Sequence, residues 1–169
     1  RLYADANECL TAADAPDRLA RLAEAGLIYC EEPLPVELLQ ARAALASRSA
    51  LPLIADDSAF SLRDLERELA FDTFQILNIK TARTGYTESA QMAALALAAD
   101  KGIMVGSQAS AGLGTLRAAL FAARPGITHP CELSFFLKLK ADLLDRPIPI
   151  VEGAIRLEDL AGIRLDEAR

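Results

Sequence analysis

Cysteine, histidine and clustered positive charge are all scarce in this sequence. Its three cysteines, Cys9, Cys30 and Cys131, are widely spaced and odd in number. They suggest neither a disulfide framework nor a zinc site, so a reduced, cytoplasmic protein is the default. Net charge is −6 and no Lys/Arg cluster exceeds a pair, which argues against a nucleic-acid partner, whose phosphates call for a basic face. The longest apolar stretches, such as residues 92–99, fall well short of a membrane span. The opening Arg1-Leu2-Tyr3-Ala4-Asp5 has no basic-then-apolar leader. What remains is ordinary globular composition: 52% hydrophobic and 25% charged over 169 residues, enough for one core and one domain. Arg1 already stands inside a strand-like run, so the expectation is a chain cut from a longer one.

Short apolar runs alternate with longer helical patterns. Strands are predicted at 2–6, 27–30, 51–55, 73–79 and 103–106, with a weaker one at 130–133. Leu19, Leu22 and Ala23 give the first helix an apolar stripe, with Pro16 near its start and Gly26 past its end. Leu38, Leu39 and Leu45 mark the second. Ser61 followed by Asp64 reads as a capping box for a third helix carrying Leu62, Leu65 and Leu69. An alanine-rich helix at 90–99 is closed by Gly102, and another at 115–123 ends at Pro125-Gly126.

Repeated strand-then-helix units imply a parallel sheet with right-handed crossovers. Asp5, Glu31, Asp56, Lys80, Gly106 and Glu132 end the strands at intervals of about 25 residues, the length of one barrel unit. A doubly wound sheet usually carries a glycine-rich turn after its first strand; here that turn reads Asp5-Ala6-Asn7-Glu8. The fold class is therefore α/β, a partial TIM-type (β/α) barrel of about six units at 1–147. Residues 148–169 add an extended segment, at 148–157, and a polar tail of the same domain. Two barrel strands are missing and should precede Arg1.

Strand parity then sorts the side chains. Asp5 shares a face with Tyr3 and Asn7, Glu31 with Tyr29, Asp56 with Ile54, and Lys80 with Asn78 and Ile76. Three acids and a lysine converge at the C-terminal mouth, where barrel enzymes put their chemistry. Carboxylates that close repel one another unless a cation sits between them. All-oxygen ligation fits Mg²⁺, with Mn²⁺ as the alternative. Such an ion binds a substrate carboxylate and stabilises the enolate left when its α-proton departs. Lys80, one strand further round, is positioned to be the base.

Asp5-Ala6-Asn7, Glu31-Glu32-Pro33-Leu34-Pro35, Ala55-Asp56-Asp57-Ser58 and Asn78-Ile79-Lys80 followed by Thr84-Gly85 resemble the enolase superfamily, over nearly the whole chain. The closest group is the muconate-lactonising, or cycloisomerase, subgroup. The resemblance implies Asp5, Glu31 and Asp56 as metal ligands and Lys80 as the acid/base lysine on the sixth strand. It also implies a Lys-x-Lys motif on the second strand and an N-terminal capping domain, neither of which this sequence contains. A mandelate-racemase-like His-Asp pair is not provided, since the single histidine, His129, precedes the eighth strand. Dipeptide epimerases carry Asp-x-Asp on that strand; here the positions are Glu132 and Ser134, and Cys131-Glu132-Leu133 looks more like the cycloisomerases. After the seventh strand, Ser107-Gln108-Ala109-Ser110 departs from the family's Met-Leu-Glu.

The plain alternatives are specific. Any one acid after a strand is commonly a helix cap. Asp57 and Ser58 read as caps or loop groups, Glu32 as solvated, Arg83 and Lys101 as surface groups, His129 as a structural loop histidine and Cys30 as a small core residue. Asn7, Asn78 and Glu132 are the candidate substrate-binding residues. The expected function is Mg²⁺-dependent abstraction of a proton α to a carboxylate, of cycloisomerase type, in a fragment inactive alone. Racemase, epimerase or dehydratase chemistry, or a non-catalytic remnant binding metal or a partner, are the alternatives. The expected partners are a small carboxylate substrate and, at full length, further copies of the chain, without nucleic acid or membrane.

Overall fold

The computed structural model describes residues 2–166. Arg1, and the end of the tail read at 148–169, lie outside the described residues. Five strands, β1 (Ala4–Asp5), β2 (Cys30–Glu31), β3 (Leu53–Ala55), β4 (Ile76–Ile79) and β5 (Gly102–Val105), form one parallel sheet in the order β1-β2-β3-β4-β5. Each is joined to the next through a helix: α1 (Ala15–Glu24), α2 (Leu39–Ala46), α3 (Leu62–Phe71) and α4 (Thr81–Ala98). A fifth helix, α5 (Gly112–Ala122), follows β5. A fifth parallel contact, where the sixth strand is expected, exists only as a single bridge, Gly106 to Glu132. Sequential order with helical crossovers is the arrangement of a (β/α) barrel wall. Among the described residues no helix is long and apolar enough to cross a membrane.

The two faces of the sheet are chemically separate, as the period of two requires. Cys30, Leu53, Leu77, Ile79, Ile103 and Val105 point to the helices, where they pack with Leu19 of α1, Leu45 of α2, Leu65 of α3, Met92 and Ala96 of α4 and Phe121 of α5. Ile54, Ile76 and Met104 form a cluster on the other face with Tyr3 and Tyr29. Cys30 is fully buried and burial pushes its thiol up to about 12, so it is a small core residue.

Register lifts the functional positions stepwise. Asp5 faces Glu31, Glu31 faces Ile54, and Ile54 faces Ile76. Asp56 therefore stands one inward position above Glu31, and Lys80 one above Asp56, each step rising about 6.6 Å. Lys80 is level with Gly106, because Ile79 faces Val105.

Several boundaries differ from those read off the sequence. The regular strands are shorter than the apolar runs, and residues flanking them are tied by single backbone bonds such as Ile28 N–H to the Leu2 carbonyl at 3.0 Å. The alanine-rich helix begins directly after Lys80 and is interrupted at Gly85 (φ 67°). Gly102 does not close it; the left-handed residue after that helix is Asp100 (φ 57°). Gly102 instead opens β5, where a Cβ would sit 2.3 Å from His129 Nε2, so the histidine ring needs glycine there. The segment at 148–157 is not continuously extended. It bends at Glu152-Gly153 within a Val151–Ala154 antiparallel bridge and leads into a 3-10 helix, Leu157–Leu160. Ile148, Phe136 and Leu144 pack together with Leu116 of α5, Ile155, Leu160 and Ile163.

Candidate active site

The ends of the first four strands gather ionisable groups, Asp5, Glu31, Asp56 and Lys80, while the fifth is followed by Gly106. Asp56 directly follows β3 and precedes a 3-10 turn, Asp57–Ala59. Its side chain makes no capping bond to that turn. It forms ion pairs instead, one with Lys80 through Oδ2 and one from Oδ1 to Arg83 Nη1 at 2.9 Å. Arg83 also meets Asp57 Oδ1 at 2.7 Å, donates from Nε to Gln108 Oε1 at 2.7 Å, and stacks 4.6 Å from the Phe60 ring centre. The surface reading of Arg83 is thus corrected: its side chain is 8% exposed. Lys101 too is mostly covered, paired with Asp72 and donating to the Phe74 carbonyl at 2.8 Å.

Glu31 ends β2 almost fully buried and accepts from Asn78 Nδ2 at 2.7 Å. Burial pushes its carboxyl up to about 8; Asp56 and Asp5 push the same way, while Asn78 and Lys80 oppose them. Asp5 accepts from Asn7, from its backbone N–H at 2.9 Å and its Nδ2 at 2.8 Å, and caps no helix. Tyr3 shares the space: burial raises its hydroxyl, followed by Glu31, Glu132, Asp5 and Asp56. Its hydroxyl thus lies within the electrostatic reach of all four acids. Glu132 is half-buried and accepts from Ser107 Oγ at 3.3 Å. His129 packs edge-on to Tyr29, with Nδ1 3.1 Å from the Tyr29 hydroxyl.

The donor set is carboxylate oxygen only, and Glu31 keeps its proton to about 8 beside two other acids. That chemistry fits a hard divalent cation, whose charge replaces the proton. Among the described residues, no three acidic, cysteine or histidine side chains are already drawn together around one point. Asp56 is turned to Lys80 and Arg83, and Asp5 to Asn7. Asp5, Glu31 and Asp56 would hold the ion once Asp56 leaves its cations.

Glu32 is buried rather than solvated. Its φ of 38° turns it away from Glu31, and its Oε1 meets Arg42 at 2.8 Å. Sequence reasoning missed Arg83 and this Glu32–Arg42 pair. Parity placed Tyr3 on the Asp5 face but gave it no role.

The described geometry agrees with comparisons to known proteins. The family model for the "Enolase C-terminal domain-like" fold matches residues 1–169. An N-succinylamino acid racemase from Amycolatopsis is 34% identical over 134 residues, 79% of this chain and 36% of that protein. An o-succinylbenzoate synthase from Geobacillus stearothermophilus is 31% identical over 171 residues, 99% of this chain and 45% of that protein. A solved mandelate racemase/muconate lactonizing protein from Herpetosiphon aurantiacus superposes with a TM-score of 0.89 at 28% identity, covering 98% of this chain and 48% of that one. The chain thus spans less than half the length of each of these relatives. Members of the superfamily generally depend on a divalent metal ion. The chain belongs to the enolase superfamily, as a muconate-lactonising-enzyme-like C-terminal barrel portion.

Proposed function

We propose that this chain carries the metal-binding half of a Mg²⁺-dependent enzyme that moves the proton α to a substrate carboxylate. One observation carries the reading. The Lys80 ammonium lies on Asp56, and Asp56 stands at the mouth one strand from Glu31 and two from Asp5. A divalent cation held there supplies positive charge that stabilises the anion left by the departing α-proton.

The chain's own residues do the rest. Asn78 fixes the Glu31 carboxylate through its 2.7 Å bond and so orients one ligand. Asn7 does the same for Asp5. Lys80 takes or returns the proton at the substrate's α-carbon after Asp56 turns from it; proton transfer of this kind contributes roughly 10²–10⁴-fold to rate. Tyr3 and Tyr29, one inward position below Asp5 and Glu31, pack with Ile54, Ile76 and Met104 in an apolar cluster that lies against the acids. Glu132, level with Lys80 on the rim, supports a polar substrate group.

Within that chemistry the finer proposal is a cycloisomerase of lactonising type, supported by Cys131-Glu132-Leu133. Racemisation and synthase reactions of the named relatives are alternatives to it. The test is solvent deuterium uptake at the α-carbon, screened across carboxylates with the full-length protein. Lys80→Ala lowers uptake by about 10²-fold or more; unchanged uptake removes Lys80 from the mechanism.

A further inference from the structure

Glu31 ends β2 and Glu32 follows it, and only the first reaches the mouth. The second, Glu32, enters the space between the sheet and the helices, with Oε2 accepting from both Asp56 N–H and Ser58 N–H at 2.9 Å. One oxygen thus grips the backbone on either side of Asp57, at the turn that carries the Asp56 carboxylate. The other oxygen pairs with Arg42 of α2, and Arg42 Nη2 also meets Glu68 Oε2 of α3 at 3.2 Å. Glu68 is fully buried and meets Arg67 Nη2 at 2.9 Å through Oε1. Arg67 Nη2 in turn donates to the Ser58 carbonyl at 3.1 Å. The circuit closes on the residue where it began: Ser58, Glu32, Arg42, Glu68, Arg67 and Ser58 again. Its charges alternate in sign around the ring, so each buried ion has an opposite neighbour.

We infer that Glu32, anchored by Arg42, is a positioning residue for the metal centre, holding the Asp56 turn from behind so that Asp56 is presented to the cation. The inference rests on reading Asp56 as a metal ligand. A capping bond could have fixed that aspartate from its own side chain, but none is made. Among the described residues its side chain is engaged only by Lys80 and Arg83, the groups it must leave, so the turn is left to be fixed through the backbone. Partners of this kind, touching a ligand rather than the ion, typically alter metal affinity 10–100-fold when removed.

The test separates an acceptor's role from simple burial. In the full-length protein, Glu32→Gln with Arg42→Met keeps an oxygen for the two N–H groups and removes the cation that needs a counter-charge. Glu32→Leu with Arg42→Met keeps the bulk and lacks the oxygen. Mg²⁺ affinity is read by calorimetry, with melting temperature recorded in parallel and Asp56→Asn as the third variant. The expected result is affinity close to wild type in the glutamine variant and a loss of about tenfold or more in the leucine variant. Equal affinity in the two double variants overturns the positioning role, whatever their melting temperatures. Should Asp56→Asn bind Mg²⁺ as tightly as wild type, the ligand assignment fails first. If Asp56→Asn weakens binding while the double variants match, only the Glu32 inference falls.

Discussion

Asn78 Nδ2 donates to Glu31 Oε1 at 2.7 Å across a separation of 47 residues, with both residues 2% exposed. The bond spans from β2 to β4, past the inward side of β3, and it is what partly offsets the burial of Glu31. Asn78 Oδ1 has no hydrogen-bond partner among the described residues and lies where a Cβ on Gly106 would come within 2.5 Å of it.

Glu31 gives a pH dependence of definite sign. Its carboxyl moves from an ordinary 4.5 to about 8 through burial, so the folded protein keeps a proton that the unfolded chain releases. That contribution is fully present below 4.5 and is lost as pH rises toward 8. Relative to Glu31→Gln, the metal-free protein loses stability across this window, measured by urea unfolding at stepped pH. A constant difference between the two proteins contradicts the assignment.

Glycine at 106 leaves room for the site. An added Cβ would stand 2.5 Å from Asn78 Oδ1 and 3.0 Å from Lys80 Cε. Gly106→Ala is expected to cost about 1–3 kcal/mol of stability, as overpacking does, and to slow α-proton exchange by displacing Lys80. Wild-type exchange in a folded Gly106→Ala protein would mean that Lys80 is not held against this strand.

Arg83 ties the Asp56 turn to the loop after β5, through Asp56, Asp57 and Gln108. Arg83→Met removes these charge-assisted bonds and is expected to destabilise by about 1.5–3 kcal/mol in denaturant unfolding. A change below about 0.5 kcal/mol, the scatter of ordinary surface substitutions, would show that the pairs are inconsequential.

The strand-helix period and the parity of Tyr3, Tyr29, Ile54 and Ile76 were legible because both follow from local hydrophobic pattern. The Ser61 cap was legible for the same reason: its Oγ accepts from Asp64 N–H three residues on. Arg83 and Glu32 were not. Their partners lie 10 to 27 positions away in sequence and on different elements, and an isolated charge between apolar runs looks identical whether solvated or paired. The start of the helix after Lys80 was hidden by Gly85, whose positive φ breaks a segment that is helical on both sides.

The most direct measurement is anomalous diffraction from crystals of the full-length protein soaked in Mn²⁺. One peak within about 2.5 Å of carboxylate oxygens from Asp5, Glu31 and Asp56 together is predicted. A peak held by other residues, or three acids that keep the partners described above at saturating Mn²⁺, would contradict it.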